Sequence, residues 1–182
     1  MVYKDKILYG LNKIHYCKKD SIIKHIKGAL DIEVILSQEY EYKKKCGHDA
    51  IRFNAPIRGK GKLTLLGLTL EEQADLLGYK YENGELAVGS NPTPPNVSLL
   101  FARKRADGGE LYTVLYNCIF ENSNITGLTK TGDFEEQTLT LSFDVLYDFK
   151  RKWTYFVLDN KVGNQNKVNN FFKQIQVPGG NN

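Results

Sequence analysis

Two stretches of this chain change character at every second residue. In DIEVILSQEYEY (31–42), Ile32, Val34, Leu36, Tyr40 and Tyr42 are apolar, and Asp31, Glu33, Ser37, Glu39 and Glu41 between them are polar and mostly acidic. In EEQTLTLSFDVLY (135–147), Leu139, Leu141, Phe143, Val145 and Tyr147 alternate with Thr138, Thr140, Ser142 and Asp144. A period of two sends successive side chains to opposite faces of a strand, so each stretch predicts an antiparallel strand with one face on a core and one in water. No other constraint in the chain is as strong, and it points to a mainly β protein.

The remaining segments agree. LNKIHYC (11–17), GKLTLLGL (61–68), VSLLFARKR (97–105), LYTVLYNCIF (111–120) and KWTYFVLD (152–159) read as strands, and ADGGE joins two of them as a hairpin. SIIKHIKGAL (21–30) fits either helix or strand. With 11 Tyr and 9 Phe the composition favours sheet. Only GLTLEEQADLLGYKYENG (67–84) predicts a helix, over 69–77. Thr69 and Glu72 form a capping box, Glu71 and Glu72 suit the helix dipole, Leu70, Ala74 and Leu77 make an apolar stripe, and Gly78 is the stop. Those residues are used up in being a helix, and Asn83-Gly84 predicts a turn just beyond.

Residues 43–60, KKKCGHDAIRFNAPIRGK, follow no period and are expected to form a long inter-strand loop. The tail from 161 to 182 is rich in Asn and Gln, with Phe171, Phe172 and Ile175 as anchors, and is expected to be an arm that orders against a partner. The division is then a β domain over 1–160 and an arm over 161–182. The opening MVYKDKILYG has no long apolar core, so no signal peptide is expected, and no run reaches the roughly 20 apolar residues of a membrane helix.

Charge is uneven. The chain is +4 overall, but residues 40–62 hold seven Lys or Arg (Lys43, Lys44, Lys45, Arg52, Arg58, Lys60, Lys62) against Glu41 and Asp49. Such a window suits an acidic protein surface or nucleic acid, or is simply a solvated loop. RGKGK (58–62) lacks the P-loop spacing. Three cysteines argue against a disulfide framework, and Cys118 reads as a small core residue. His15 with Cys17, and Cys46 with His48, could each present two ligands from one strand face, as a four-ligand zinc site would need, but the spacing is tighter than the usual one. No catalytic nucleophile motif is present, and the acid pairs Glu71/Glu72 and Glu135/Glu136 have structural explanations.

The order of these features, in particular NKIHY near the start, LTLEEQADLLGYKYENGEL, and VSLLFARKRADGGELYTVLYNCIF running on to TKTGDFEEQTLTLSFDVL, resembles the major tail proteins of long-tailed bacteriophages. The likeness is to the phi13-like tail tube family of Gram-positive phages and covers about residues 9–150. It rests on collinear order rather than on a catalytic signature. It implies an antiparallel β-sandwich or barrel with one short flanking helix, a long inter-strand loop and extended terminal arms. It further implies hexameric rings stacking into a tube through which double-stranded DNA passes into the host. Partners would be tape measure, tail tip and terminator proteins. There would be no enzymatic activity and no cofactor, and the protein would reside in the virion tail after synthesis in the host cytoplasm.

In that setting the long loop, with Lys43, Lys44, Lys45, Arg52 and Arg58, would reach a neighbouring ring. Negative walls let DNA slide, so Glu33, Glu39, Glu41 or Asp144 would face the lumen. A monomeric β-sandwich that binds carbohydrate or nucleic acid through the basic window, Tyr79 and Tyr81 is the competing expectation. A small zinc protein built on His15, Cys17, Cys46 and His48 is a third.

Overall fold

The computed structural model describes residues 3–19, 21–43, 51–122 and 137–179 of the 182. The strands are β1 (Leu8–Lys18), β2 (Lys24–Ile26), β3 (Ala29–Ser37), β4 (Tyr40–Lys43), β5 (Ile51–Asn54), β6 (Arg58–Leu65), β7 (Lys80–Glu82), β8 (Glu85–Ala87), β9 (Val97–Arg105), β10 (Glu110–Phe120), β11 (Leu139–Val145) and β12 (Tyr155–Asp159). Helix α1 spans Leu70–Leu77 and α2 spans Gln165–Asn170. No helix among the described residues is long and apolar enough to cross a membrane.

One eight-stranded sheet carries the fold, in the order β2-β1-β9-β10-β11-β6-β3, and every pairing in it is antiparallel. It forks along β10. Leu111–Leu115 pair with β12, and after an irregularity between Leu115 and Cys118 the end of the strand pairs with β11. The sheet curls until β1 and β3 come close, giving the partly closed, sandwich-like form expected of such alternating strands.

The concave face encloses the main core. Ile14 and Tyr16 of β1, Leu63 and Leu65 of β6, Leu99 and Phe101 of β9, Phe120 of β10, and Leu141, Phe143 and Val145 of β11 meet there, closed at one end by Leu76 and Leu77 of α1. Two β1 bulges set which side chains enter. The register with β9 shifts around Gly10 and Lys13, both at positive φ, and Ile14 and Tyr16 turn inward while His15 and Cys17 face the back.

The RGKGK segment is explained by the same geometry. In β6, Gly59, Gly61, Leu63 and Leu65 point in, and Arg58, Lys60 and Lys62 point out. A Cβ on Gly61 would lie 2.2 Å from Cζ of Phe143, its cross-strand partner. The glycine is therefore room for an aromatic ring, not a phosphate cradle.

A second core lies on the back of the sheet, where Leu100, Ala102, Tyr112, Val114, Tyr116 and Leu158 are covered by the C-terminal segment. Phe171 is fully buried there, packed on Tyr112 with ring centroids 5.1 Å apart, and the Tyr116 hydroxyl donates to the Gln176 carbonyl at 2.7 Å.

Several expectations change. The 161–182 segment was expected to order against a partner; through residue 179 it is docked on its own chain, because Phe171 and Ile175 find an apolar sheet face within reach. A second short helix, α2, results, capped by the Asn164 side chain. Residues 31–42 are two strands rather than one, separated at 38–39, and residues 43–60 contain β5 and the start of β6 rather than an unbroken loop. On α1 the capping box and the Gly78 stop form as expected, but Leu70 is exposed and the buried face is Asp75, Leu76 and Leu77. Cys118 is buried in the core, where burial pushes its thiol pKa up.

Candidate assembly surfaces

The first surface is a hairpin that pairs with no further strand among the described residues. Among the described residues β4 and β5 pair only with each other, in the register Tyr40↔Asn54, Glu41↔Phe53, Tyr42↔Arg52 and Lys43↔Ile51. One face carries Tyr40, Tyr42 and Arg52, the other Glu41, Lys43, Ile51 and Phe53, by the alternation of the strands. Tyr40, Tyr42, Ile51 and Phe53 are each 52–58% exposed. Arg52 lies over the Tyr40 ring at 4.3 Å and Lys43 over Phe53 at 5.6 Å, so charge sits directly on the aromatic surface. The root is clamped: the Ala55 amide donates to the Glu39 carbonyl at 2.9 Å, and the Gln38 amide donates back to the Ala55 carbonyl at 2.9 Å.

The second surface is the outer face of β3, β6 and β11. Its residues line up across the strands as Glu33–Lys62–Ser142, Ile35–Lys60–Asp144 and Asp31–Thr64–Thr140, with Arg58 beside Ser37. Acids and bases therefore alternate between neighbouring strands, an arrangement that favours cross-strand attraction. The expected separation of charge is not what this face shows. Arg58 and Lys60, expected in the 43–60 loop, lie with Lys62 in β6 between the strands that carry Glu33 and Asp144. Of the expected lumen acids, Glu33 and Asp144 share this face, whereas Glu39 and Glu41 belong to the hairpin and its root. Of the expected loop cations, Lys43 and Arg52 are on the hairpin, and Lys44 and Lys45 lie outside the described residues.

The third surface is an apolar shelf at the start of β12, where Trp153, Tyr155, Val157 and Ile57 are all more than a third exposed, with Pro56 and Pro178 at its margin. It adjoins the hairpin root, since the Thr154 hydroxyl donates to the Ile57 carbonyl at 3.0 Å.

Charged groups elsewhere serve the fold. Asp75 of α1 accepts from the Tyr16 hydroxyl at 2.8 Å, Lys18 Nζ at 2.6 Å and Lys24 Nζ at 2.7 Å, and Glu71 takes a second bond from Lys24 at 2.7 Å. Burial raises the Asp75 pKa, but these three donors outweigh it and hold the carboxyl below the usual range. The same cluster raises Lys24. Glu72 is held by its capping box, so neither helix acid is spare. At the β9–β10 turn the Arg105 guanidinium bonds both Asp107 and Asp159.

His15 and Cys17 do share a strand face, but they point toward the C-terminal segment. The Cys17 thiol donates to the Ser21 carbonyl at 3.2 Å, and His15 packs against Phe172. Cys46 and His48 lie outside the described residues. Among the described residues no three His, Cys, Asp or Glu side chains gather at metal-binding distance. Of the competing aromatic pair, Tyr79 packs against the main core and Tyr81 is on the small β7–β8 hairpin, where Asn83 and Gly84 both take positive φ as a type I′ turn requires. The paired aromatics of β4 and β5 are what sequence reasoning missed. Their signal, IRFN alternating opposite YEYK, was hidden by the lysine run beside it.

No protein-family model matches the chain. No curated protein matches it either. Among solved structures it is similar to the anti-feeding prophage cap, a tube terminating cap, at 6% identity and a TM-score of 0.47, covering 86% of this chain and 98% of that one. At that level the likeness decides neither family nor function.

Proposed function

We propose that this chain is a structural subunit of a phage-type tail, assembling with copies of itself into rings that stack as a tube for genome passage. The observation that carries the reading is the β4–β5 hairpin. A two-stranded hairpin alone is marginal in water, and here four large apolar side chains stand on it with no third layer among the described residues. An element of that kind is made to pack on another subunit. The resemblance of the sequence to major tail proteins points the same way, and no catalytic role needs to be assigned to any residue.

In the assembled tube the hairpin would bridge subunits, with Lys43 and Arg52 at the contact. The face bearing Glu33 and Asp144 would line the lumen. Lys60, Lys62 and Arg58 on the same face make that wall close to neutral rather than acidic. A balanced wall still lets DNA slide, because no run of cations is left to neutralise consecutive phosphates.

Negative-stain microscopy of the purified protein tests the reading, alongside sedimentation over a concentration series. Rings or tubes of uniform diameter are expected. A protein that stays monomeric at high concentration, with or without tail-tip components, would overturn it.

A further inference from the structure

On the back of the sheet His15 of β1 lies against two other rings. His25 of β2 is its cross-strand partner, with centroids 4.7 Å apart, and Phe172 of the C-terminal segment stacks on it at 4.5 Å, 29° from parallel. We propose that these three rings form a pH-sensitive latch: a neutral His15 holds the 164–179 segment closed over β1, β9 and β10, and a protonated His15 releases it.

The surroundings are built for the neutral ring. Nδ1 of His15 is enclosed and has no hydrogen-bond partner among the described residues. An imidazolium carries a proton on both nitrogens, and among the described residues the one acceptor that favours it is the Lys13 backbone, whose pull is weaker than that of burial and of His25. Among the described residues, the charged and titratable groups around it supply no counterion. On its own strand these are Lys13 and the Cys17 thiol, which is bonded to the Ser21 carbonyl. On β2 it is His25. On β9 the shared face is Leu100 and Ala102, with Lys104 further along. On β10 it is Tyr112, engaged with Glu110, whose carboxylate also accepts from the Asn12 amide at 2.8 Å. On the covering segment the charged residues are Lys167, donating to the Val177 carbonyl, and Lys173. Among the described residues neither imidazole has a carboxylate within ion-pair distance.

Burial and then the neighbouring His25 lower the His15 pKa, against a weaker opposite pull from the Lys13 backbone. The Phe172 face attracts a cation, but the site as a whole holds the proton less well than water does. The sign follows. The closed segment binds fewer protons than the open one, so closure is complete above the ordinary value of 6.5 and weakens as pH falls below it. One proton changes the closing equilibrium by up to about tenfold per pH unit in that window. Opening would uncover Leu100, Ala102, Tyr112 and Val114 as an apolar strip. The latch is independent of the tail reading.

The test is backbone hydrogen exchange on the full chain at about pH 7.5 and about pH 5, corrected for intrinsic rates, spanning the range in which histidine titrates. Amides between 164 and 177 should lose protection by about tenfold or more at the lower pH, while β9 and β11 keep theirs. His15→Phe keeps a ring in the stack and removes the proton, so its segment should stay protected. Equal protection of the wild type at both pH values would overturn the latch, as would the same acid loss in His15→Phe. Should that variant fail to fold, His25→Gln removes the neighbouring imidazole. In it the His15 titration followed by NMR should move up and acid opening should shrink; an unchanged opening would count against the latch equally.

Discussion

Asp75 is the side chain on which α1 depends. It is almost fully buried, and it satisfies a tyrosine hydroxyl and two lysines from β1 and β2 at once. Asp75→Asn removes the charge those lysines face and should cost about 1–3 kcal/mol in urea denaturation at neutral pH. The pH dependence has a definite sign. The carboxyl is held below its ordinary value of 3.8 in the folded protein, so its contribution is present above that value and is lost as pH falls through it. The wild-type advantage over Asp75→Asn should therefore shrink in acid. Gly61 is constrained in a different way, by the Phe143 ring lying where its Cβ would be. Gly61→Ala should destabilise by about 1–3 kcal/mol through overpacking, readable as a lower midpoint in the same assay. The need for glycine there was not legible from RGKGK alone, since the ring that imposes it comes from a strand more than 80 residues away in sequence.

The β4–β5 hairpin and the C-terminal segment depart from the forms that residue pattern suggested for them. The segment looked like an outward arm and is part of a core. Phe171→Ala should cost about 3–5 kcal/mol, as truncation of a buried phenylalanine does, measured by thermal or urea unfolding. The stretch read as a basic assembly loop without regular structure contains β5, which pairs with β4 to form a hairpin with an aromatic surface. Changing Tyr42 and Phe53 together to Ser should alter monomer stability by no more than about 0.5 kcal/mol, because both are exposed, yet abolish ring formation seen by microscopy. A variant that still makes rings would remove the hairpin from the contact. These departures share a cause. A run of Asn, Gln and Lys reports what surrounds an apolar anchor, not which surface the anchor will find.

For the molecule as a whole, charge is arranged rather than accumulated. The +4 net charge and the basic window suggested a patch, but of the window's described cations Lys43 and Arg52 lie on the hairpin and Arg58, Lys60 and Lys62 on the face of β6, while Lys18 and Lys24 from outside it are tied up in salt bridges around α1. Binding to double-stranded DNA should accordingly be weak, with a shallow dependence on salt, when followed by fluorescence anisotropy over a salt series. A steep slope would mean that several cations act together on phosphate and would favour a nucleic-acid binding module instead.

What could be read from residue order were the local matters. Alternation over 31–37 and 139–145 identified strands and their inward faces, and the capping box and Gly78 identified the helix, because a period of two and a helix terminus are both satisfied within a few residues. What could not be read were the placements that depend on distant partners. The fork of β10, the opposition of Lys60 to Asp144 and the docking of Phe171 all arise when strands far apart in sequence are brought side by side. Register and sheet order are collective outcomes of packing, so no short window of the chain contains them.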